Sequence, residues 1–199
     1  LIVTGGNHAG EFLRLLGNGQ SFGLKHLNYT YQEGEGGIAE ALGLARHFAK
    51  DKKIVVVLGD NIFEHGIGDY VERFRKQKKG ARVLLKKVDD PERFGVASLK
   101  GKKIAAIEEK PKKPRTDLAV TGVYMYDPFV FEIIDRLTPS HRGELEITDV
   151  NNAYIQKGRL EFDVLKGWWT DSGTFDSLLR ANILMAQKGC GKKLPWLPG

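Results

Sequence analysis

Hydrophobic positions along this chain follow two periods that take turns. Short apolar runs rich in β-branched residues occur at Leu1–Thr4, Lys53–Gly59, Ala81–Val88, Gly95–Leu99, Ile104–Glu108, Ala119–Tyr126 and Leu160–Leu165, and each predicts a strand. Between several of them the spacing lengthens to that of a helix. In IAEALGLARHFAK, Ile38, Leu42, Ala45 and Phe48 share one face, with Lys and Arg opposite. DYVERFRKQKKG repeats the arrangement with Val71 and Phe74 and stops at Gly80. TFDSLLRANILMAQKG reads as a helix with Thr174 as N-cap, an apolar face through Leu178 and Met185, and Gly189 as terminator. Strands alternating with helices predict an α/β fold with a mainly parallel sheet, and right-handed crossovers then set the helices on its faces. A single domain over residues 1–189, followed by a tail at 190–199, is the expected organisation.

The run Ile54–Leu58 is too short to span a membrane, and its aliphatic content suits a strand buried on both faces. It stops on Gly59, Asp60 and Asn61. Asp and Asn bend chains well, yet ligands of open α/β sheets also gather at the carboxyl ends of strands. GWWTDSGTFDSL poses the same choice, with Asp171 between a strand-like segment and a helix start, beside Trp168 and Trp169. Each aspartate alone reads as a turn or cap residue. The two together, in a basic chain, raise a divalent-metal site of the Mg²⁺ kind, since that ion takes one or two carboxylates plus substrate phosphates.

Charge and cysteine usage narrow the ligand. The formal net charge is +6, but no RNP, zinc-finger or helix-turn-helix signature accompanies it, so a small phosphorylated substrate suits the field better than nucleic acid. His8, His26, His47, His65, His141 and the single Cys190 show no short zinc-ligand spacing. One cysteine excludes an intramolecular disulfide framework and fits a reducing compartment. No signal peptide or membrane span is visible. LIVTGG opens inside an apolar run without an initiator Met, which leads us to expect an upstream segment. If phosphates bind near the two aspartates, a metal must bind too. A carboxylate about 4 Å from a phosphate charge is repelled by roughly 4 kcal/mol at an effective dielectric of about 20.

Other stretches carry weaker signals. In YQEGEGGIAEAL, glycines precede a helix, which fits either a phosphate-facing N-terminus or a flexible entry loop, and Gln32 offers an amide to a base edge. It matches neither dinucleotide nor P-loop spacing. In IEEKPKKP, Glu109 and Lys110 suit sugar hydroxyls and a phosphate, whereas Lys112, Lys113 and Arg115 read as a solvated turn. DDPERFGV sets Gly95 at a close backbone approach or a plain turn. Glu144, Glu146 and Asp149 of RGELEITDV read as structural partners of a helix start.

Taken in order, QEGEGGIAEAL, LGDNIF, DDPERFGV, EEKP, AVTGVYMYD, RGELEITD and WWTDSGT resemble the glucose-1-phosphate thymidylyltransferases in their short form, over roughly residues 1 to 188. The resemblance implies a Rossmann-like nucleotidyltransferase fold lacking its N-terminal part. It implies a cytoplasmic, homotetrameric enzyme that joins dTTP and glucose 1-phosphate into dTDP-glucose and pyrophosphate with Mg²⁺, on the way to dTDP-rhamnose. Carried over by motif, Asp60 and Asp171 are the metal aspartates, with Lys110 beside them in catalysis. Gln32, Gly37, Asp60 and Asn61 serve the nucleotide; Gly95, Glu109, Lys110, Val120, Tyr124 and Trp169 form the sugar-phosphate pocket. The family's first strand and glycine-rich loop, with an Arg and a later Lys, have no counterpart here, and Phe94 stands where some relatives carry Tyr. Two alternatives stay open: UTP or CTP in place of dTTP, and a non-catalytic sugar-nucleotide-binding fragment.

Overall fold

All seven apolar runs form strands in the computed structural model, which describes residues 1–189; the tail 190–199, with Cys190, lies outside them. In chain order the elements are β1 (Ile2–Gly5), α1 (Ala9–Leu16), β2 (Tyr29–Gln32), α2 (Ile38–Gly43), α3 (Arg46–Ala49), β3 (Ile54–Val57), β4 (Ile62–Phe63) and α4 (Gly68–Lys76). There follow β5 (Ala81–Lys87), β6 (Gly95–Lys100), β7 (Lys103–Glu109), β8 (Leu118–Tyr126), α5 (Val130–Ile134), α6 (Ile147–Gln156), β9 (Leu160–Val164), β10 (Trp169–Thr170) and α7 (Phe175–Gly189). They pack as two compact units: Leu1–Ile54 with Tyr126–Arg159, and Val55–Met125 with the chain from Leu160.

The second unit is built on a mixed sheet ordered β7-β6-β8-β5-β9, with β3 also paired to β8. β5 and β9 run parallel, while β6 is antiparallel to both β7 and β8. Val83, Leu84 and Leu85 of β5 are wholly buried, as a central strand of aliphatic residues should be. Tyr70 and Phe74, one helical turn apart on α4, join Leu84, Val123, Met125, Leu165 and Trp169 in one apolar cluster.

In the first unit β1 and β2 pair in parallel, and α2, α5 and α6 pack together. Its centre is aromatic. Tyr126 and Tyr154 stack with ring centroids 5.7 Å apart, and their hydroxyls donate to Asn151 Oδ1 at 2.8 Å and Asp127 Oδ1 at 2.7 Å. Burying those hydroxyls without partners would be costly, so the polar side chains are part of the core.

Three expectations are corrected. β3 is not buried on both faces: Val55 and Val57, two residues apart and so on the same face, are 39% and 49% exposed, and no described element covers that face. Phe48 is 50% exposed, since the helix breaks after Gly43 and restarts at Arg46, which turns Ala49 inward in its place. In α7, Leu178 and Met185 lie exposed, and the small residues Ser177 and Ala181 make the buried face. The Thr174 cap is present: Thr174 Oγ1 accepts from the Ser177 amide, and Ser177 Oγ accepts from the Thr174 amide. No helix of the described residues is long and apolar enough to cross a membrane.

Candidate active site

A two-rung ladder brings the two aspartates together. β4 and β10 are antiparallel, with Thr170 opposite Ile62 and Trp169 opposite Phe63. Antiparallel register then sets the residue after Thr170 against the residues before Ile62, so Asp171 meets Asn61 and Asp60 at one end. A side-chain carbon added at Gly173 would sit 3.4 Å from both Asp60 Oδ2 and Asp171 Oδ2. The carboxylates therefore face one space. Ser172 Oγ donates to the Asp60 carbonyl at 2.9 Å and ties the two loops.

Asn61 holds this arrangement. Its Oδ1 accepts from the Gly122 amide at 2.8 Å and from Trp169 Nε1 at 2.7 Å, and its Nδ2 donates to Asp60 Oδ1 at 2.7 Å. The two donors on Oδ1 fix which way the amide points. Gly122 has to be glycine, because a Cβ there would run into the Asn61 amide. Expected among the nucleotide-binding residues, Asn61 sits here as the strut between β8, Trp169 and Asp60.

Asp171 is electrostatically loaded. Its Oδ2 accepts from Arg93 Nη2 at 2.8 Å, while its Oδ1 is buried and has no hydrogen-bond partner. Arg93 Nη1 also donates to Asp90 at 2.9 Å. That bond, with the charges of Asp171 and Asp90, outweighs burial and holds the guanidinium proton more firmly than usual. Two carboxylates on one space, with a buried oxygen to spare, fit an oxygen-seeking dication that fills its remaining positions with water and phosphate. Among the described residues no group of three or more His, Cys, Asp and Glu forms, so a closed site of the zinc type is not built here.

The sugar-phosphate residues lie in the same unit. Gly95 of β6 pairs with Glu109 of β7, and Lys110 follows in a left-handed backbone conformation (φ 42°), its amide donating to the Phe94 carbonyl at 3.0 Å. Val120 and Tyr124 are buried on β8. Burial, then the negative charges of Glu109 and Asp60, push the Tyr124 hydroxyl far above its ordinary 10.0, so it remains a protonated donor. Trp169 is only 6% exposed; its ring packs 5.0 Å from Phe94. Lys112, Lys113 and Arg115 are exposed, as a solvated turn should be.

Gln32 and Gly37 belong to the first unit. Gln32 Nε2 donates to the Gly37 carbonyl at 3.1 Å and to Glu40 Oε2 at 2.8 Å, which leaves its carbonyl oxygen as the group to offer a ligand. Gly37 has φ +93°, and a Cβ there would lie 2.5 Å from the Leu145 carbonyl oxygen. Glu144 and Glu146 both accept from Arg142, in keeping with a structural role.

Sequence reasoning passed over Arg93, Gly122 and Ser172. Only Arg93 left a sign, as a cation three residues from Asp90 in DDPERFGV.

Comparison with known proteins shows the family and the fold. The profile of the family described as "Nucleotidyl transferase" matches residues 1–188. A glucose-1-phosphate thymidylyltransferase of Neisseria meningitidis is 36% identical over 211 residues, covering 100% of this chain and 73% of that protein. One from Xanthomonas campestris is 42% identical over 185 residues, covering 91% and 62%. A Haloferax volcanii low-salt glycan biosynthesis nucleotidyltransferase is 37% identical and is covered over 54% of its length. The chain thus spans about half to three-quarters of the curated relatives it matches. A Bacillus anthracis crystal structure described as a glucose-1-phosphate thymidylyltransferase, in complex with a sucrose, superposes with a TM-score of 0.84 at 54% identity, over 92% of this chain and 74% of that one. A UDP-glucose pyrophosphorylase bound to UDP-glucose, 21% identical with a TM-score of 0.76, shares the fold. With a profile matched to residue 188 and thymidylyltransferases sharing 36–42% of aligned positions, the chain belongs to the nucleotidyl transferase family, in its glucose-1-phosphate thymidylyltransferase branch.

Proposed function

We propose that the protein transfers a thymidylyl group from dTTP to glucose 1-phosphate, with Mg²⁺ held by Asp60 and Asp171. The observation that carries the reading is the pair of carboxylates that face one space through Asp60 Oδ2 and Asp171 Oδ2. In the reaction a phosphate oxygen of the sugar attacks the α-phosphorus in line, the bond between α-phosphorus and bridging oxygen breaks, and pyrophosphate leaves. Mg²⁺ would neutralise the crowded phosphates. The chain's own residues do the positioning. Asn61 fixes Asp60; Lys110 sets a point charge on the sugar phosphate; Glu109 accepts from sugar hydroxyls; Tyr124 stays protonated beside them. The Gln32 carbonyl oxygen, left over by the bonds of its amide nitrogen, accepts from an N–H on the base edge. The same reading has the protein act in the cytoplasm as a homo-oligomer, its product a precursor of dTDP-rhamnose.

Assaying pyrophosphate release from glucose 1-phosphate with each nucleoside triphosphate tests this. We expect turnover with dTTP that stops on chelation of the metal, and a loss of at least about a hundredfold for Asp171→Asn. Undiminished turnover without a divalent ion, or in Asp171→Asn, would refute it.

A further inference from the structure

The oxygen of Asp171 that faces Asp60 is the same one that Arg93 holds. Asp171 Oδ2 lies 3.4 Å from the Gly173 Cβ position, as does Asp60 Oδ2, and it is also 2.8 Å from Arg93 Nη2. A guanidinium therefore caps the carboxylate edge that a bridging dication would use. Arg93 has somewhere else to go. Its Nη1 is already 2.9 Å from Asp90 Oδ2, and its guanidinium carbon lies 5.0 Å from the centre of the Phe94 ring. Asp90, Arg93, Phe94 and Asp171 all line a single cavity of about 360 Å³ that extends to Trp168 and Trp169, so the side chain has room to retreat.

We infer that Arg93 is a stand-in cation: it neutralises Asp171 while no metal is bound, and it withdraws to Asp90 when a divalent ion takes the Asp171 edge. Arg93 is then a positioning residue that sets how readily the free protein loads metal. It does not touch the reacting atoms. This inference rests on the metal reading of the Asp60–Asp171 pair. Its chemical consequence is that a metal arriving alone must displace a fixed charge, whereas a metal arriving with an anionic triphosphate brings the compensating charge along.

Titrating the protein with Mn²⁺ in the absence of nucleotide, by calorimetry or by the loss of the free-ion magnetic resonance signal, tests it. Arg93→Gln is expected to bind Mn²⁺ about tenfold more tightly than the parent, the scale on which a neighbouring cation weakens cation binding at a carboxylate. Asp90→Asn, which removes the retreat and leaves Arg93 on Asp171, is expected to bind it several-fold more weakly. A purely structural role for the clamp predicts that both variants weaken binding, and that outcome, or an unchanged affinity in Arg93→Gln, would overturn the inference. Thermal melting of the metal-free variants reports whether they fold. If neither the parent nor Arg93→Gln binds Mn²⁺, or if Asp171→Asn binds it as well as the parent, the metal reading itself fails, and this inference falls with it.

Discussion

Asn61 shows how far one side chain reaches. Its three side-chain hydrogen bonds go to a neighbour, to a backbone amide 61 residues on and to an indole 108 residues on. Replacing it by alanine strands the Gly122 amide and the Trp169 indole. Asn61→Ala should lose roughly 2–4 kcal/mol of stability in urea unfolding and alter tryptophan emission. Lys110 offers the opposite case. A side chain at φ 42° costs about 1–2 kcal/mol. Lys110→Gly should therefore gain roughly 0.5–1 kcal/mol of stability while losing turnover, a split that unfolding and kinetic assays on the same sample would resolve. At this scale the sequence was partly legible. Asp60 and Asp171 stood out because carboxylates at strand exits are chemically conspicuous. The contacts of Asn61 with Gly122 and Trp169, and of Arg93 with Asp171, span 61 to 108 residues, and local pattern carries no trace of those.

Most elements long enough to repeat a period were readable, though α1 (Ala9–Leu16) was not, and the two-residue strands left no pattern at all. β4 and β10 have two residues each, too few for alternation to register, yet their pairing assembles the site. The face of α7 and the place of Phe48 were misjudged for related reasons, while Leu42 is buried as expected. α7 packs through Ser177 and Ala181, which hydropathy undervalues, and a break after Gly43 resets the helical phase. Two glycines carry element-scale predictions. Gly122→Ala drives a methyl into the Asn61 amide and should destabilise β8 by about 1–3 kcal/mol, with Mn²⁺ affinity falling alongside. Gly37→Ala combines a positive φ with a collision against the Leu145 carbonyl; it should cost at least about 1 kcal/mol, seen as a lowered urea midpoint.

For the molecule as a whole, the fold class followed from strands alternating with helices, while the division into two units did not, since no composition shift marks Ile54 or Tyr126. Each unit buries a tyrosine whose hydroxyl titrates far above 10.0: Tyr124, chiefly through burial, and Tyr154, through burial and its bond to Asp127. Unfolded tyrosines ionise near that ordinary value, so above it the unfolded state sheds protons that the folded state keeps. Stability should be flat with respect to these groups below about pH 10 and then fall by roughly 1.4 kcal/mol per pH unit for each of them. Urea midpoints measured from about pH 9 to 11.5 check this, and Tyr124→Phe should make the decline shallower. The ladder of Ile62 and Phe63 against Trp169 and Thr170 has a last consequence, for engineering. With only two rungs it has no slack: adding or deleting one residue in either arm would turn Asp60 or Asp171 outward. Libraries meant to retarget the site should randomise the flanking side chains at constant loop length.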